Sequence, residues 1–268
     1  MKNKKINVGV IGLGLIGSSI LKGLSDNSDY ELFVCSKSSY KKALAYTKNS
    51  SDDILILKDC DIVFVCCSLS NTQRTLDELN SILNKDTIVC DVASFKGDLL
   101  NKKYNFDFIL THPMAGTEKS GFDAGFKELF NGAKWLVERK NAILSDIISA
   151  LGAKELLIDM KEHDKLTAQI SHLPTILSFL LFDSVDDKAK LIASSGFRDM
   201  TRLALSNSDL VLNMFKNEEN ILKYFDIIIK KTNKLKNMSD KDKIEYFKQI
   251  SQKRNKMYDK SGKNIFNV

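Results

Sequence analysis

The chain has 268 residues, 43% hydrophobic and 28% charged, which suits two globular domains with ordinary cores and excludes a disordered or fibrous protein. Its formal net charge of +6, from 40 basic and 34 acidic residues, comes without an aromatic-interleaved basic patch or a nucleic-acid-binding motif. It therefore describes a lysine-rich solvated surface that does not repel anionic substrates.

The five cysteines, Cys35, Cys60, Cys66, Cys67 and Cys90, lack C-x-x-C spacing and sit mostly in apolar runs. They read as reduced, buried thiols of a cytoplasmic protein, with no disulfide and no metal site. The opening MKNKK precedes only a short apolar run broken by glycines, and no segment approaches ~18 uninterrupted apolar residues. Neither a signal segment nor a membrane partner is expected.

Ile6 to Ile11 reads as an apolar strand that runs straight into GLGLIG, where Gly12, Gly14 and Gly17 meet the G-x-G-x-x-G spacing before a helix-forming stretch to about Ser25. The first glycine permits a tight turn, the second lets backbone approach a pyrophosphate, and the third allows close helix-strand packing. Gly12, Leu13, Gly14, Leu15, Ile16 and Gly17 thus form the expected dinucleotide loop.

The second strand, Glu31 to Cys35, ends where an NAD-preferring site places Asp or Glu for the adenosine ribose; here stand Ser36, Lys37, Ser38 and Ser39. Without that carboxylate a 2′-phosphate is not repelled, and Lys37 with the serine hydroxyls can bind it, which favours NADP over NAD. The alternative is a surface turn with the ribose held some other way.

Further strands are predicted at Ile62 to Cys67, Thr87 to Val92, Phe108 to Leu110, Lys134 to Val137 and Glu155 to Ile158. Strands alternating with helices imply an α/β fold, a Rossmann-type doubly wound parallel sheet over residues 1–160, with its ligand crevice at the carboxyl ends of the strands. Cys67, Ser68, Ser94 and His112 fall at such ends.

His112 opens the stretch THPMAGTEKSG, which carries one of three histidines beside one of two prolines, followed by Gly116, Thr117, Glu118 and Gly121. Imidazole alone among side chains exchanges a proton near neutral pH without perturbation. The plainer alternative is a strand-end histidine that caps a turn. Ser94, one strand earlier, either fixes the imidazole or binds a substrate hydroxyl, or caps its own turn.

From about Met160 the pattern becomes helical, which predicts an all-helical substrate and dimerisation domain over residues 161–268. Leu166 to Phe182 is strongly apolar, and Pro174 should kink that helix near its middle. His163 and His172 are nine positions apart, on opposite faces of a straight helix, so unless the kink intervenes they cannot both face one cleft. His172, beside the kink, is the functional candidate, and His163 with Asp164 reads as a capping or structural pair.

In ASSGFRDMTRLA, Arg198 and Arg202 lie one helical turn apart with Asp199 between them in sequence. They read either as a bidentate clamp for a substrate carboxylate or as exposed ion pairs. Beyond Asn213 the chain is amphipathic and lysine-rich, suited to packing and dimer contacts.

Taken together, GLGLIGSS, DVASFKG, HPMAGTEKSGF, EHDKLTAQISHLP and ASSGFRDMTRLA, in this order across residues 12–204, resemble the prephenate dehydrogenase family, which includes arogenate dehydrogenases. The resemblance implies oxidation of prephenate to 4-hydroxyphenylpyruvate in tyrosine biosynthesis, with hydride passing to NAD(P)+ and loss of CO2, by a homodimer. It implies that His112 accepts the hydrogen bond or proton of the substrate's C4 hydroxyl with help from Ser94. It also implies that Glu118 stands at the mouth of the site and that Arg202 binds a substrate carboxylate, with Thr117, His172, Thr175 and Asp199 around the substrate.

Two departures bear on specificity. Where many members read His-Leu-Pro-His this chain has His172-Leu173-Pro174-Thr175, and Ser36-Lys37 replaces the acidic ribose reader. Both leave arogenate, with an amino group in place of the keto oxygen, as an alternative substrate, whereas the HPMAGTEKSG loop looks more like the prephenate side.

No chorismate mutase fusion and no C-terminal regulatory domain are expected, so tyrosine, if it inhibits, should compete in the active site. More distant alternatives are a β-hydroxyacid dehydrogenase or imine reductase using Lys161 or Lys165, and an inert NAD(P)-binding sensor. The first gives the HPMAG block no role; the second should have lost the histidine and arginine.

Overall fold

A computed structural model of the chain describes residues 5–117, 119–259, 262 and 264. The first half alternates strands and helices: β1 (Ile6–Ile11), α1 (Leu15–Leu24), β2 (Tyr30–Cys35), α2 (Tyr40–Ala43), β3 (Asn49–Ser51), β4 (Ile62–Val65), α3 (Leu69–Asn80), β5 (Ile88–Asp91) and β6 (Asp107–Ile109). These six strands form one sheet in the order β3-β2-β1-β4-β5-β6, and every pair in it is parallel. The order reverses between β1 and β4, so a crevice opens there at the strands' carboxyl ends.

Strand alternation accounts for the two apolar layers. Val8, Val10, Ile62 and Phe64 face a cluster with Ile20, Leu24 and Trp135, while Val63, Val65 and Val89 face another with Leu76 and Leu79. Successive side chains of a strand point to opposite faces, and a parallel sheet covered on both must be apolar on both.

The later strands do not extend this sheet. β7 (Thr111–Pro113), β8 (Lys134–Val137), α4 (Ala142–Ala150) and β9 (Lys154–Leu157) follow, and β7-β8-β9 is a separate sheet. β7 is antiparallel to β8, with His112 opposite Leu136, and β8 is parallel to β9. The break has a local cause: just past β6 the Thr111 N–H donates to the Asp91 side chain at 3.1 Å instead of a ladder carbonyl, and the chain turns away at Leu110.

Helices then take over: α5 (Met160–Thr167), a π turn (Ala168–His172), α6 (Leu173–Asp183), α7 (Asp187–Lys190), α8 (Ser195–Thr201), α9 (Ser208–Met214), α10 (Glu218–Lys236) and α11 (Asp240–Met257). The expected proline kink is a π turn placed just ahead of Pro174: the Leu173 N–H reaches the Ala168 carbonyl, and Pro174 stands in the first turn of α6, where its missing N–H costs little. The chain divides into two compact units, residues 1–220 and 221–268. The first carries both sheets and the helices through α9; the second carries most of α10 and all of α11. No helix among the described residues is long and apolar enough to cross a membrane.

Candidate active site

At the carboxyl ends of β1, β2 and β4 lies a cavity of about 680 Å³ whose lining includes Gly12, Leu13, Gly14, Ser36, Lys37 and Ser38 on one side and Cys67 and Ser68 on the other. The glycines are there for distinct reasons. Gly12 has φ +90°, and a Cβ on it would lie 2.8 Å from the Cys66 carbonyl carbon. A Cβ on Gly17 would lie 2.0 Å from the Gly12 carbonyl oxygen, so loop and helix approach as only glycine permits. Gly14, the N-cap of α1, has no side-chain cap and nothing within 4 Å of where its Cβ would stand. The helix N-terminus therefore presents its amides to open space, which fits a pyrophosphate. Leu15 and Ile16 begin the helix, Ile16 against the core.

The ribose end is more acidic than the sequence suggested, because Asp52 and Asp53 line the same cavity as Lys37. Asp53 is occupied in part, accepting the Leu55 N–H at 2.9 Å. Ser36 is buried and accepts the Ser39 N–H at 3.2 Å, and Ser68 accepts from the Asn71 amide at 2.9 Å. All five cysteines are free, and burial raises their thiols, Cys35 to about 11 and Cys60 to about 12. They remain protonated near neutrality and are not nucleophiles. Among the described residues no cluster of metal-ligand type exists.

His112 is not in the lining of this cavity; it stands instead at the end of a hydrogen-bonded line. His112 Nδ1 lies 2.9 Å from His163 Nε2, and His163 Nδ1 lies 2.7 Å from Asp164 Oδ1. Asp164 is held in turn by the backbone N–H groups of Lys96 and Gly97, each at 2.9 Å, and its carbonyl accepts from Asn217 at 2.6 Å. An ionised carboxylate only accepts, so His163 donates from Nδ1 and accepts at Nε2, and His112 donates from Nδ1. The lone pair of His112 is therefore at Nε2, pointing away from this chain of donors. Burial, the Lys96 ammonium, His163 and His172 together hold His112 well below the ordinary imidazole range.

His163 thus has a place that spacing on a straight helix did not predict. It is fully buried against His112, not a helix-start cap, and the capping at α5 is done by Asp159. His172 is also buried, with the Asn217 amide 3.4 Å from its Nδ1, and burial lowers it to about 4. A π turn rotates less per residue than an α turn, so the five residues 168–172 reset the facing, and all three histidines influence one another.

The other expected residues are not hydrogen-bonded to this line among the described residues. Ser94, in the bend after β5, has no hydrogen-bond partner among the described residues. Thr175 is buried and donates its hydroxyl back to the Ser171 carbonyl at 2.9 Å, as a helix residue. Thr117 is exposed and accepts the Lys119 N–H at 3.2 Å. Glu118 lies outside the described residues. Asp199 pairs with Arg198 at 3.1 Å on an open surface and does not support Arg202, which is exposed. Lys165 is paired at the surface with Glu162 at 2.9 Å.

A Rossmann sheet with a glycine loop, and a neutral histidine in the short strand that follows that sheet, define a nucleotide-dependent dehydrogenase. Comparison with known proteins narrows the class. Residues 32–155 match the prephenate dehydrogenase nucleotide-binding domain and residues 159–253 the prephenate dehydrogenase dimerization domain. Prephenate dehydrogenase of Lactococcus lactis subsp. cremoris is 32% identical over 267 residues, covering 89% of this chain and 73% of that protein. Cyclohexadienyl dehydrogenase of Zymomonas mobilis subsp. mobilis is 29% identical over 255 residues, covering 86% and 87%.

Among solved structures, prephenate dehydrogenase from A. aeolicus in complex with hydroxyphenyl propionate and NAD+ superposes with a TM-score of 0.81 at 25% identity over 95% of this chain and 99% of that one. Synechocystis arogenate dehydrogenase gives 0.77 at 28%, over 93% and 98%. The chain belongs to the prephenate dehydrogenase family, as an NAD(P)-dependent dehydrogenase of the prephenate and arogenate type.

Proposed function

We propose that this chain oxidises prephenate to 4-hydroxyphenylpyruvate, and that the line Asp164, His163, His112 is the machinery that handles the substrate's hydroxyl proton. The observation that carries this reading is the 2.9 Å contact between the two imidazoles, backed by the Asp164 carboxylate. It leaves His112 Nε2 as an acceptor that a C4 hydroxyl can meet. When bound, NAD(P)+ supplies the hydride acceptor. His112 draws on the hydroxyl hydrogen as positive character develops at C4. His163 and Asp164 offset the charge that this places on His112, and loss of CO2 leaves an aromatic ring whose oxygen retains or recovers the proton.

Ser94, with its hydroxyl uncommitted, is proposed to share that hydroxyl, and Arg202 to hold a substrate carboxylate, since its guanidinium is exposed and not engaged by Asp199. His172, Thr175, Thr117 and Glu118 are proposed to surround the substrate, and the glycine loop with Ser36, Lys37, Ser38, Cys67 and Ser68 to hold the nucleotide. The proposed working division falls at residue 160, with a cytoplasmic homodimer formed through the helical part. Its support is the dimerization-domain match from residue 159.

Arogenate is the second reading. Thr175 stands where many relatives carry a second histidine, and its hydroxyl is already spent on Ser171. NADP+ is favoured by Lys37 at the end of β2, and opposed by Asp52 and Asp53 in the same cavity. A steady-state assay of both substrates with both nucleotides decides these pairs. Lys37→Ala should weaken NADP+ binding while sparing NAD+; equal weakening of both would contradict the phosphate role. In the same assay His112→Asn should lower kcat by roughly 10²-fold or more with nucleotide affinity retained. Turnover that survives the change removes His112 from the reaction.

A further inference from the structure

Behind His112 lies a buried ion pair to which the reaction assigns no task. The side chains of Lys96 and Asp91 are both 0% exposed and form a salt bridge. Lys96 Nζ also donates to the carbonyl of Thr111, the residue before His112, at 2.5 Å. Asp91 accepts the Thr111 N–H at 3.1 Å and the Ala93 N–H at 2.9 Å, while its backbone carbonyl takes the Thr111 hydroxyl at 2.6 Å. That hydroxyl accepts the Trp135 indole N–H at 3.1 Å. The backbone just before His112 is thus clamped from three sides.

The same lysine holds the other arm of the site. Its backbone N–H donates to Asp164 at 2.9 Å, and Asp164 orients His163. One residue therefore reaches both imidazoles, through its side chain to the strand of His112 and through its amide to the anchor of His163.

Packing alone does not require such a pair. Apolar side chains of similar volume often replace a buried ion pair without loss of stability. Asp91 and Lys96 are both fully buried charges, and each is satisfied by groups that lead to the histidines.

We propose that Lys96 is a positioning residue for His112: its side chain fixes the strand that carries the imidazole, its amide fixes Asp164, and its ammonium opposes a second positive charge beside it. The proposal rests on the reading of His112 as the proton acceptor. The ionisable groups around His112 are Lys96 with its partner Asp91, His163 and His172, with Asp164 beyond His163. Removing the ammonium leaves two imidazoles and two carboxylates, so His112 should hold a proton more readily.

The test is Lys96→Met, which removes the ammonium alone, read beside the double variant Lys96→Met/Asp91→Asn, in which the two opposite charges leave together. Two readouts are taken against pH: kcat, and the ring-proton NMR titration of His112 in the enzyme without substrate. In Lys96→Met both should move to higher pH, and by less in the double variant, where the loss of the Asp91 carboxylate opposes the loss of the ammonium. A variant that loses turnover equally at every pH, with the His112 titration unmoved, overturns the proposal. A moved titration with an unmoved kcat profile would uphold the link between Lys96 and His112 and reject His112 as the acceptor. Should neither variant fold, lysine-labelled native enzyme gives the answer: a Lys96 amine that is neutral at pH ~7 overturns the proposal, and a charged, slowly exchanging ammonium supports it.

Discussion

The lone pair of His112 stays available in acid because the imidazole is enclosed and stands near the Lys96 ammonium, His163 and His172, which hold it well below 6.5. A group needed in its neutral form limits the rate only below its pKa. Turnover should therefore remain level as pH falls through 6.5, and the acid limb assigned to His112 should begin well below it. An acid limb centred near 6.5 that vanishes in His112→Asn would contradict this environment.

His163 and Asp164 act at the same scale. Asp164→Asn replaces an acceptor-only oxygen by an amide that can donate, which frees His163 to take the other tautomer and turns its Nε2 from acceptor to donor. The expected cost is at least about tenfold in kcat, up to the ~10² that proton-transfer help is worth, with KM for nucleotide unchanged. Equal activity in this variant would show that the tautomer of His163 is immaterial. Spacing on an ideal helix put His163 on the wrong face, because nothing in Ala168–His172 announces a π turn except the proline two residues beyond it.

Among elements, the glycine loop is where sequence and structure coincide most directly, since a turn at φ +90° and a 2.0 Å approach leave no choice of residue type at Gly12 and Gly17. Gly17→Ala should separate α1 from the loop and destabilise the fold by about 1–3 kcal/mol, the usual cost of overpacking. A lower Tm together with lost nucleotide binding is the expected result, and an unchanged pair of values would mean that the loop yields.

The short β7 was the least legible element. The sequence predicts a strand only over Phe108 to Leu110, with His112 beyond its end, yet Asp91 takes the Thr111 N–H and residues 111–113 pair in a different sheet. The signal was present as two charges, Asp91 and Lys96, in and just after an apolar strand, but one sequence does not say that they pair with each other.

For the whole molecule, His172 sets a pH dependence of stability. Its folded value, about 4, lies below the ordinary 6.5, because burial disfavours the charged ring. The unfolded chain therefore binds this proton more tightly, and unfolding takes it up between those values. Stability should be level above about pH 6.5 and fall as pH drops toward 4, by ~3 kcal/mol from this group. Urea midpoints measured across that range should show the fall, and His172→Asn should reduce it, leaving the part that His112, also held below the ordinary range, contributes.

Association is the other property at this scale. α10 and α11 leave Ile229 56%, Ile244 70% and Phe247 54% exposed, and most of both helices falls in the region that matches a dimerization domain. Sedimentation should find a dimer, and Ile229→Glu with Phe247→Glu should shift it toward monomer; a double variant that sediments unchanged places the interface elsewhere.

The parallel α/β class, the glycine loop and the candidacy of His112 follow from the sequence alone, because strand alternation, glycine spacing and a scarce titratable side chain are local properties, legible in a few consecutive residues. The partnership of His112 with His163, the buried Asp91 and Lys96 behind it, and the acidic pair in the cavity of Lys37 were decided only in three dimensions. Each joins residues from separate elements, and which separated groups meet depends on how β7 leaves the sheet and how one π turn rotates a helix.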